Sequence, residues 1–429
     1  MKRENSVVIT GADAITALGL SADETWNSLM AGRQGVRRLE GFEVGGFACQ
    51  VGAQVRGLGP EVLGSDAKLA RVMDLHSFML FKCSEDAFVQ AGLKGSGIAP
   101  EDIGFFVGMG MVNQKLEDLL PAVLASMDAT GALDLDAYYS RGYRQIYPLI
   151  TLSMLNNVSF CEVAIRLKIR GENAVFSPHA DSGAQAIAEG VRTLQEQRAR
   201  VVLVGGVSEK IDPPGLARAH LQEVLNVTDS DFHPCRPFAV DRKGTVLGEG
   251  CGVVSLELRR TADERGVPYA AMVSGYGCAF ESESGFPAPT TRAIVRAMEQ
   301  ALASAEIGAA DVDVVIPHAD GTFKGDENEI DAIEQVFATC RDRLRMFWSK
   351  GAVGHLLAGA LPVDVILGTY MVRQGLIPPT LASTSMDDRI GSYTLREPFR
   401  WQPRKLLLNC QSWEGQCASL VIEAVPERE

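Results

Sequence analysis

The sequence predicts an α/β protein, and three observations carry the prediction. Apolar runs of strand length recur along the chain and end in glycine, as in Val7-Val-Ile-Thr-Gly11, Asp102-Ile-Gly-Phe-Phe-Val-Gly108 and Arg200-Val-Val-Leu-Val-Gly-Gly206. Stretches with helical spacing separate them, the pattern of a parallel or mixed sheet covered by helices. No apolar run reaches the roughly 18 to 20 residues that a membrane span needs. At 429 residues, 46% hydrophobic and 22% charged, the chain can form two domain-sized units or one large duplicated body.

In order along the chain, a strand over 6–11 leads through a glycine turn to a helix over 22–31, with Trp26 and Leu29 three apart on one face. Residues 67–91 read as a helix and 102–108 as a buried strand. Residues 110–150 are less regular and carry Tyr138, Tyr139, Tyr143 and Tyr147. Val175-Phe-Ser-Pro-His-Ala-Asp-Ser-Gly-Ala-Gln-Ala-Ile187 reads as a strand end, an elbow and a helix start, the helix running to about Arg198. A second unit begins near residue 259. Its strands are expected at 269–276, 312–317, 406–409 and 419–424, and its helices at 290–306 and 327–339. Neither a short repeat nor a low-complexity tract interrupts the pattern.

Composition narrows the function classes. The net charge of −13 argues against nucleic acid as the main partner and leaves room only for a local basic patch. The nine cysteines are odd in number and form no Cys-x-x-Cys pair, which speaks against disulfides or zinc and for small buried hydrophobes. Met1-Lys-Arg-Glu-Asn5 runs straight into a strand and does not form a secretory leader, so a cytoplasmic location is expected.

Four motifs bear chemistry or shape. The first is the elbow at Ala180, where free N–H groups and the positive end of a helix dipole would seat a thiolate and its oxyanion. The second is Pro317-His-Ala-Asp-Gly-Thr-Phe-Lys-Gly-Asp326, after an apolar strand and leading to a helix near Asp326. The third is Trp348-Ser-Lys-Gly-Ala-Val-Gly-His-Leu-Leu-Ala-Gly359. The fourth is Arg236-Pro-Phe238 with Asp241-Arg-Lys-Gly244 and Gly248-Glu-Gly250, whose buried charges are expected to be structural pairs. A single histidine after a strand is most simply a satisfied core residue. His318 and His355 together, with Lys350 at these spacings, point to a site. His76, His220 and His233 read as surface or core residues, and His179 has no assigned counterpart.

From Val7 to Glu423 these motifs resemble the β-ketoacyl-acyl carrier protein synthases of the thiolase superfamily. The resemblance implies a duplicated thiolase-like core in five layers, α-β-α-β-α, with halves at 1–258 and 259–429. It implies a dimer whose interface and acyl tunnel are built in part by residues 110–150; surface helices with packed aromatics are the plainer reading of that region. It places the family's catalytic groups at position 180, His318, His355 and Lys350, and Thr322 among the substrate-binding and gating positions. The expected partners are an acyl carrier protein and a ketosynthase-family subunit. No metal or organic cofactor of the chain's own is expected, only the carrier's phosphopantetheine. Two neutral imidazole N–H groups can stabilise the enolate left when a malonyl thioester loses CO2.

The pattern breaks at three places. Ala180 stands where the family has its cysteine nucleophile. Asp320 replaces a threonine that, in the family, lies near the phosphopantetheine arm. In Asn409-Cys-Gln-Ser-Trp-Glu-Gly-Gln-Cys417, Trp413 takes the place of a gating phenylalanine and Glu414 that of a loop glycine, which suggests a stiffer or blocked gate. Three readings follow. The chain is a partner subunit similar to chain-length factors; or it decarboxylates malonyl-acyl carrier protein, with N–H groups around Ala180 and Trp413 adding a second oxyanion site; or it is an ordinary 3-oxoacyl synthase with an engineered alanine for cysteine at 180. A degradative thiolase would want two catalytic cysteines, and Cys410 and Cys417 are expected in the gate turn and not after a Cys-x-Gly motif. A pure scaffold would have no reason to keep both histidines and Lys350.

Overall fold

The computed structural model describes residues 5–64, 69–111, 116–153, 155–227, 235–381 and 385–425. Ten strands form one mixed sheet that is built from two units of identical topology. In chain order the first unit holds Val7–Thr16, Ile103–Met109, Asn173–Phe176, Val201–Val207 and Gly250–Leu258. Across the sheet they lie third, second, fourth, fifth, first. The second unit holds Ala271–Phe280, Val314–Ile316, Arg345–Met346, Lys405–Gln411 and Gln416–Ala424, in the same spatial order. In both, the second, third and fourth strands run parallel and the fifth lies antiparallel between the fourth and the first. A two-residue antiparallel contact, Val7 with Val273 and Val8 with Met272, joins the units.

Helices complete five layers. Ser182–Gln195 and Ala360–Gln374 lie between the two units, Leu75–Gln90 covers the outer face of the first, and Thr291–Ser304 covers the second. The strands are apolar on both faces because both faces are covered. Val202 and Val204 enter the inner core while Val201 and Leu203 enter the outer one, the two-residue alternation of a pleated strand. Ala360–Gln374 is buried all round, Ala360 through Gly368 without a break, and so shows no amphipathic stripe in the sequence.

Most expected elements are present with shifted ends. The strand expected over 312–317 is Val314–Ile316, since Pro317 has no N–H to give a ladder. The helix expected from 327 starts at Phe323, because Thr322 caps it by accepting the N–H of Gly325. Cys410 and Cys417 lie within the last two strands and not in the turn between them. No helix among the described residues is long and apolar enough to cross a membrane.

Candidate functional site

The elbow follows the strand Asn173–Phe176 and ends at the helix Ser182–Gln195. Ala180 is buried between them. A Cβ on Gly183 would lie 2.2 Å from the Ala358 carbonyl oxygen, so glycine there lets the first turn of the helix approach the loop that follows His355. Sequence places Ala180 and His355 far apart; this close packing brings them into one region.

His318 and His355 are both buried, with ring centroids 5.0 Å apart. His318 Nδ1 accepts the backbone N–H of Gln411 at 3.2 Å, and His355 Nδ1 accepts that of Leu357 at 2.9 Å. A neutral imidazole that accepts at Nδ1 carries its proton on Nε2. Both Nε2 atoms are buried and have no hydrogen-bond partner among the described residues. Burial holds both rings well below the usual histidine range, reinforced by the Lys350 ammonium and, for His318, by His355. The result is a pair of neutral N–H donors kept unsatisfied, at an energetic cost that a structural role would not need. Their backbone is strained as well: Ala319 has φ +50° and Leu357 φ +47°, left-handed values that non-glycine residues seldom adopt.

Lys350 is buried and its Nζ donates to the His318 carbonyl oxygen. Glu329, which the sequence did not single out, holds the same segment. Its carboxylate accepts the N–H groups of His318 and Ala319, each at 2.8 Å, and Asn409 Nδ2 at 3.1 Å. Burial pushes that carboxyl above its ordinary range against the lowering effect of these donors. Glu329 sits eleven residues after His318 on a helix, so no local motif announces it.

Asp320 and Trp413 are bonded to each other, and Glu414 is tied to the elbow and to a neighbouring helix. Asp320 Oδ2 accepts Trp413 Nε1–H at 3.0 Å, while Oδ1 accepts both the N–H and the hydroxyl of Thr322 at 2.8 Å. Glu414 Oε2 lies 3.1 Å from His179 Nδ1, and Glu414 Oε1 accepts Gln222 Nε2–H at 3.3 Å. Ser412 Oγ donates to Asp181 Oδ1 at 2.8 Å and accepts the Asp181 N–H at 3.0 Å. Consecutive turn residues Ser412, Trp413 and Glu414 are thus tied to three separate segments. With about 1 kcal/mol for each tie, the turn is held closed by a factor on the order of 100. The exposed Glu414–His179 pair adds least.

The closed turn separates two halves of the site. A cavity of about 200 Å³ is walled by Ala180, Leu357, Trp413 and Glu414, among others, and neither His318 nor His355 lines it. The Trp413 ring packs against His355 with centroids 5.2 Å apart. Asp320 Oδ2 stands 3.9 Å from His318 Nε2, a carboxylate beside the donor that an incoming oxyanion would need. Thr322 is spent on the helix cap and on Asp320.

Ligand-type atoms of His318, Asp320 and His355 lie within 4.8 Å of one another. The tautomers oppose a metal, which needs the lone pair at Nε2 where both rings carry a proton. Cys410 donates its thiol to the Ala180 carbonyl oxygen at 3.4 Å, and burial pushes the thiol far up. It therefore lies against the elbow as an unreactive thiol.

The remaining singled-out residues are structural. Arg242 donates to the carbonyls of Ala239 and Phe323 and lies 3.6 Å from Asp326, whose carboxylate accepts the N–H groups of Phe238 and Gly321. His76 is buried against Ser77 and Ser159, His220 is exposed on a helix, and His233 lies outside the described residues. Glu249 accepts the N–H groups of Val55 and Ile211, and burial pushes it up to about 7. In the unfolded chain it would ionise near 4.5. The folded state therefore keeps this proton longer, and stability falls by roughly 3 kcal/mol as pH rises from 4.5 to 7. Urea unfolding at pH 5 and pH 7.5 is expected to show this fall, and Glu249→Gln is expected to flatten it.

Comparison with known proteins adds the following. Residues 4–262 match the family model for the beta-ketoacyl synthase N-terminal domain and residues 270–384 that for its C-terminal domain. The 3-oxoacyl-[acyl-carrier-protein] synthase 2 of Rhizobium meliloti (strain 1021) is 29% identical over 87% of this chain and 88% of that protein. Its counterpart in Staphylococcus aureus (strain N315) is 25% identical over 90% of each. A beta-ketoacyl synthase from Burkholderia phymatum STM815 superposes with a TM-score of 0.82 at 26% identity, over 98% of this chain and all of that one. The ishigamide ketosynthase/chain length factor superposes at 0.80 with 21% identity, over 99% and 100%. A type II PKS acyl-carrier protein in complex with its ketosynthase does so at 0.83 with 21% identity, over 98% and 100%.

Proposed function

Since the chain belongs to the beta-ketoacyl synthase family, we propose that it serves fatty acid or polyketide synthesis in the cytoplasm as a non-condensing partner subunit, similar to a chain-length factor. It would pair with a cysteine-bearing ketosynthase and meet chains carried on the phosphopantetheine of an acyl carrier protein. One observation carries the reading. Two residues that depart from the family pattern, Asp320 and Trp413, bond to each other, and a third, Glu414, meets His179; together they close the turn between Ala180 and the two histidines. Without a cysteine nothing accepts an acyl chain, and with the turn closed no thioester at Ala180 reaches the imidazoles.

An interface is supported by the segment after the strand Ile103–Met109. Met111, Leu120, Leu124, Leu135, Tyr139 and Leu155 are all largely exposed there, an unusual concentration of apolar surface. The strand Asn173–Phe176 offers an open sheet edge. Sedimentation of the chain mixed with a cysteine-bearing synthase of the family tests the pairing. A heterodimer that extends carrier-bound chains, while this chain alone extends none, is the expected result. Two non-interacting species would contradict it.

The decarboxylase reading is favoured by the two unsatisfied Nε2–H donors, and it requires the turn to open. The third reading, an engineered alanine at 180, makes a different prediction. Ala180→Cys alone is expected to remain unacylated by acyl-acyl carrier protein, as read by intact mass. Acylation at a rate typical of a synthase would mean that the alanine is the only lesion.

A further inference from the structure

The cavity beside Ala180 has a histidine and a carboxylate in its wall. His179, Ala180, Trp413 and Glu414 all line it. His179 has no counterpart in the family pattern, and Glu414 stands in place of a loop glycine. Glu414 Oε2 lies 3.1 Å from His179 Nδ1. A carboxylate on that side favours the tautomer with the proton on Nδ1, which leaves the lone pair on Nε2. His179 Nε2 has no hydrogen-bond partner among the described residues. Gln222 Nε2 donates to the other oxygen of the carboxylate, Glu414 Oε1, and steadies it. The backbone N–H groups of Ala180 and Trp413 also have no partner among the described residues. The helix Ser182–Gln195 begins just after Ala180, with its positive end at the elbow. At about 200 Å³ the cavity has room for a chain of a few carbons and a water.

We infer that His179 and Glu414 form a general-base dyad that hydrolyses short acyl thioesters held beside Ala180, so that the chain releases carrier-bound acyl groups as free acids. The inference rests on the reading of this cavity as a place where a carrier-bound thioester docks. His179 Nε2 takes a proton from water as the water oxygen bonds to the thioester carbonyl carbon. The carbonyl oxygen becomes an oxyanion, and the N–H groups of Ala180 and Trp413 stabilise it. The C–S bond then breaks and the sulfur leaves with the proton from the imidazolium. The products are a carboxylic acid and the carrier thiol. Water is the nucleophile, so the alanine at 180 is no obstacle. Glu414 is a positioning residue that acts through His179, setting its tautomer and facing the imidazolium once it forms. The closed turn that shuts His318 and His355 off from the cavity is the same one that sets Glu414 against His179. A loop glycine could not supply that carboxylate, and a part-exposed ion pair adds little stability of its own.

Incubation of the whole chain with butyryl-acyl carrier protein in heavy-oxygen water tests this, with mass spectrometry of butyrate and carrier as the readout. Calorimetry follows carrier binding in parallel. The expected result is butyrate release about 100-fold faster than from the carrier in buffer, with a single heavy oxygen in each butyrate. His179→Gln is expected to return the rate to the buffer level. Glu414→Gln is expected to lower kcat about tenfold with KM unchanged, and Glu414→Asp to recover part of that loss, a pattern that a merely structural pair would not give. Both side chains are about a third exposed, so these variants are expected to fold, as circular dichroism would verify. Release at the buffer rate by a wild type that binds the butyryl-carrier overturns the hydrolase and leaves the docking of carrier chains standing. Neither binding nor release overturns both. Release that persists in His179→Gln overturns the dyad.

Discussion

Asp320→Thr combined with Trp413→Phe is expected to raise CO2 release from malonyl-acyl carrier protein about 100-fold over the wild type. The change removes the carboxylate 3.9 Å from His318 Nε2 and the indole N–H that fixes Trp413 across the site. His318 and His355 would then present two neutral N–H donors to the thioester oxygen as the enolate forms. A single donor of this kind is worth about 10²–10³ in rate. Adding His318→Ala to the double variant is expected to abolish the gain. Labelled CO2 trapped from the reaction provides the readout. A folded double variant that stays silent would mean that the histidine pair does not act as an enolate site in this chain. Because Nδ1 of each ring is fixed by a backbone N–H and burial keeps both rings neutral, the gained activity is expected to stay level between about pH 6.5 and 8.

Glu329→Ala is expected to cost about 4 kcal/mol of stability, the largest single loss at the site. Three buried donors, from His318, Ala319 and Asn409, would lose their acceptor at once, and an unsatisfied buried donor costs about 1–3 kcal/mol. Ala319 is already held at a left-handed φ, so the segment has little else to keep it in place. The urea midpoint should fall accordingly. A loss under 1 kcal/mol would show that the strained His318–Ala319 turn is held by its neighbours without the carboxylate. Asn409→Ala, which removes one of the three bonds, is expected to cost about 1 kcal/mol.

His318, Lys350 and His355 were legible in the sequence because each stands in a short motif next to an apolar strand or a glycine. The elbow at Ala180 was legible for the same reason, as a strand end followed by small residues and a helix. The sequence also marked Asp320, Trp413 and Glu414 as departures. It gave no sign that they bond to one another, since Asp320 and Trp413 are 93 residues apart and His179 meets Glu414 across most of the chain. Such pairings depend on how the two five-strand units fold against each other. Glu329 was missed because its role comes from the atoms it faces, and those lie on other elements. The helix Ala360–Gln374 was missed on different grounds. Buried on all sides between two sheets, it carries no periodic contrast for a reading based on amphipathic spacing.

The most direct test of the closed site is the wild-type chain alone with malonyl-acyl carrier protein, followed by mass spectrometry for acetyl-carrier formation. The bonded turn at Trp413 predicts no conversion above the rate of the carrier in buffer, and full conversion by the partner synthase when it is supplied. Acetyl-carrier formation by the wild type that disappears in His318→Ala and in His355→Ala would contradict it, and would make the chain a decarboxylase in its own right.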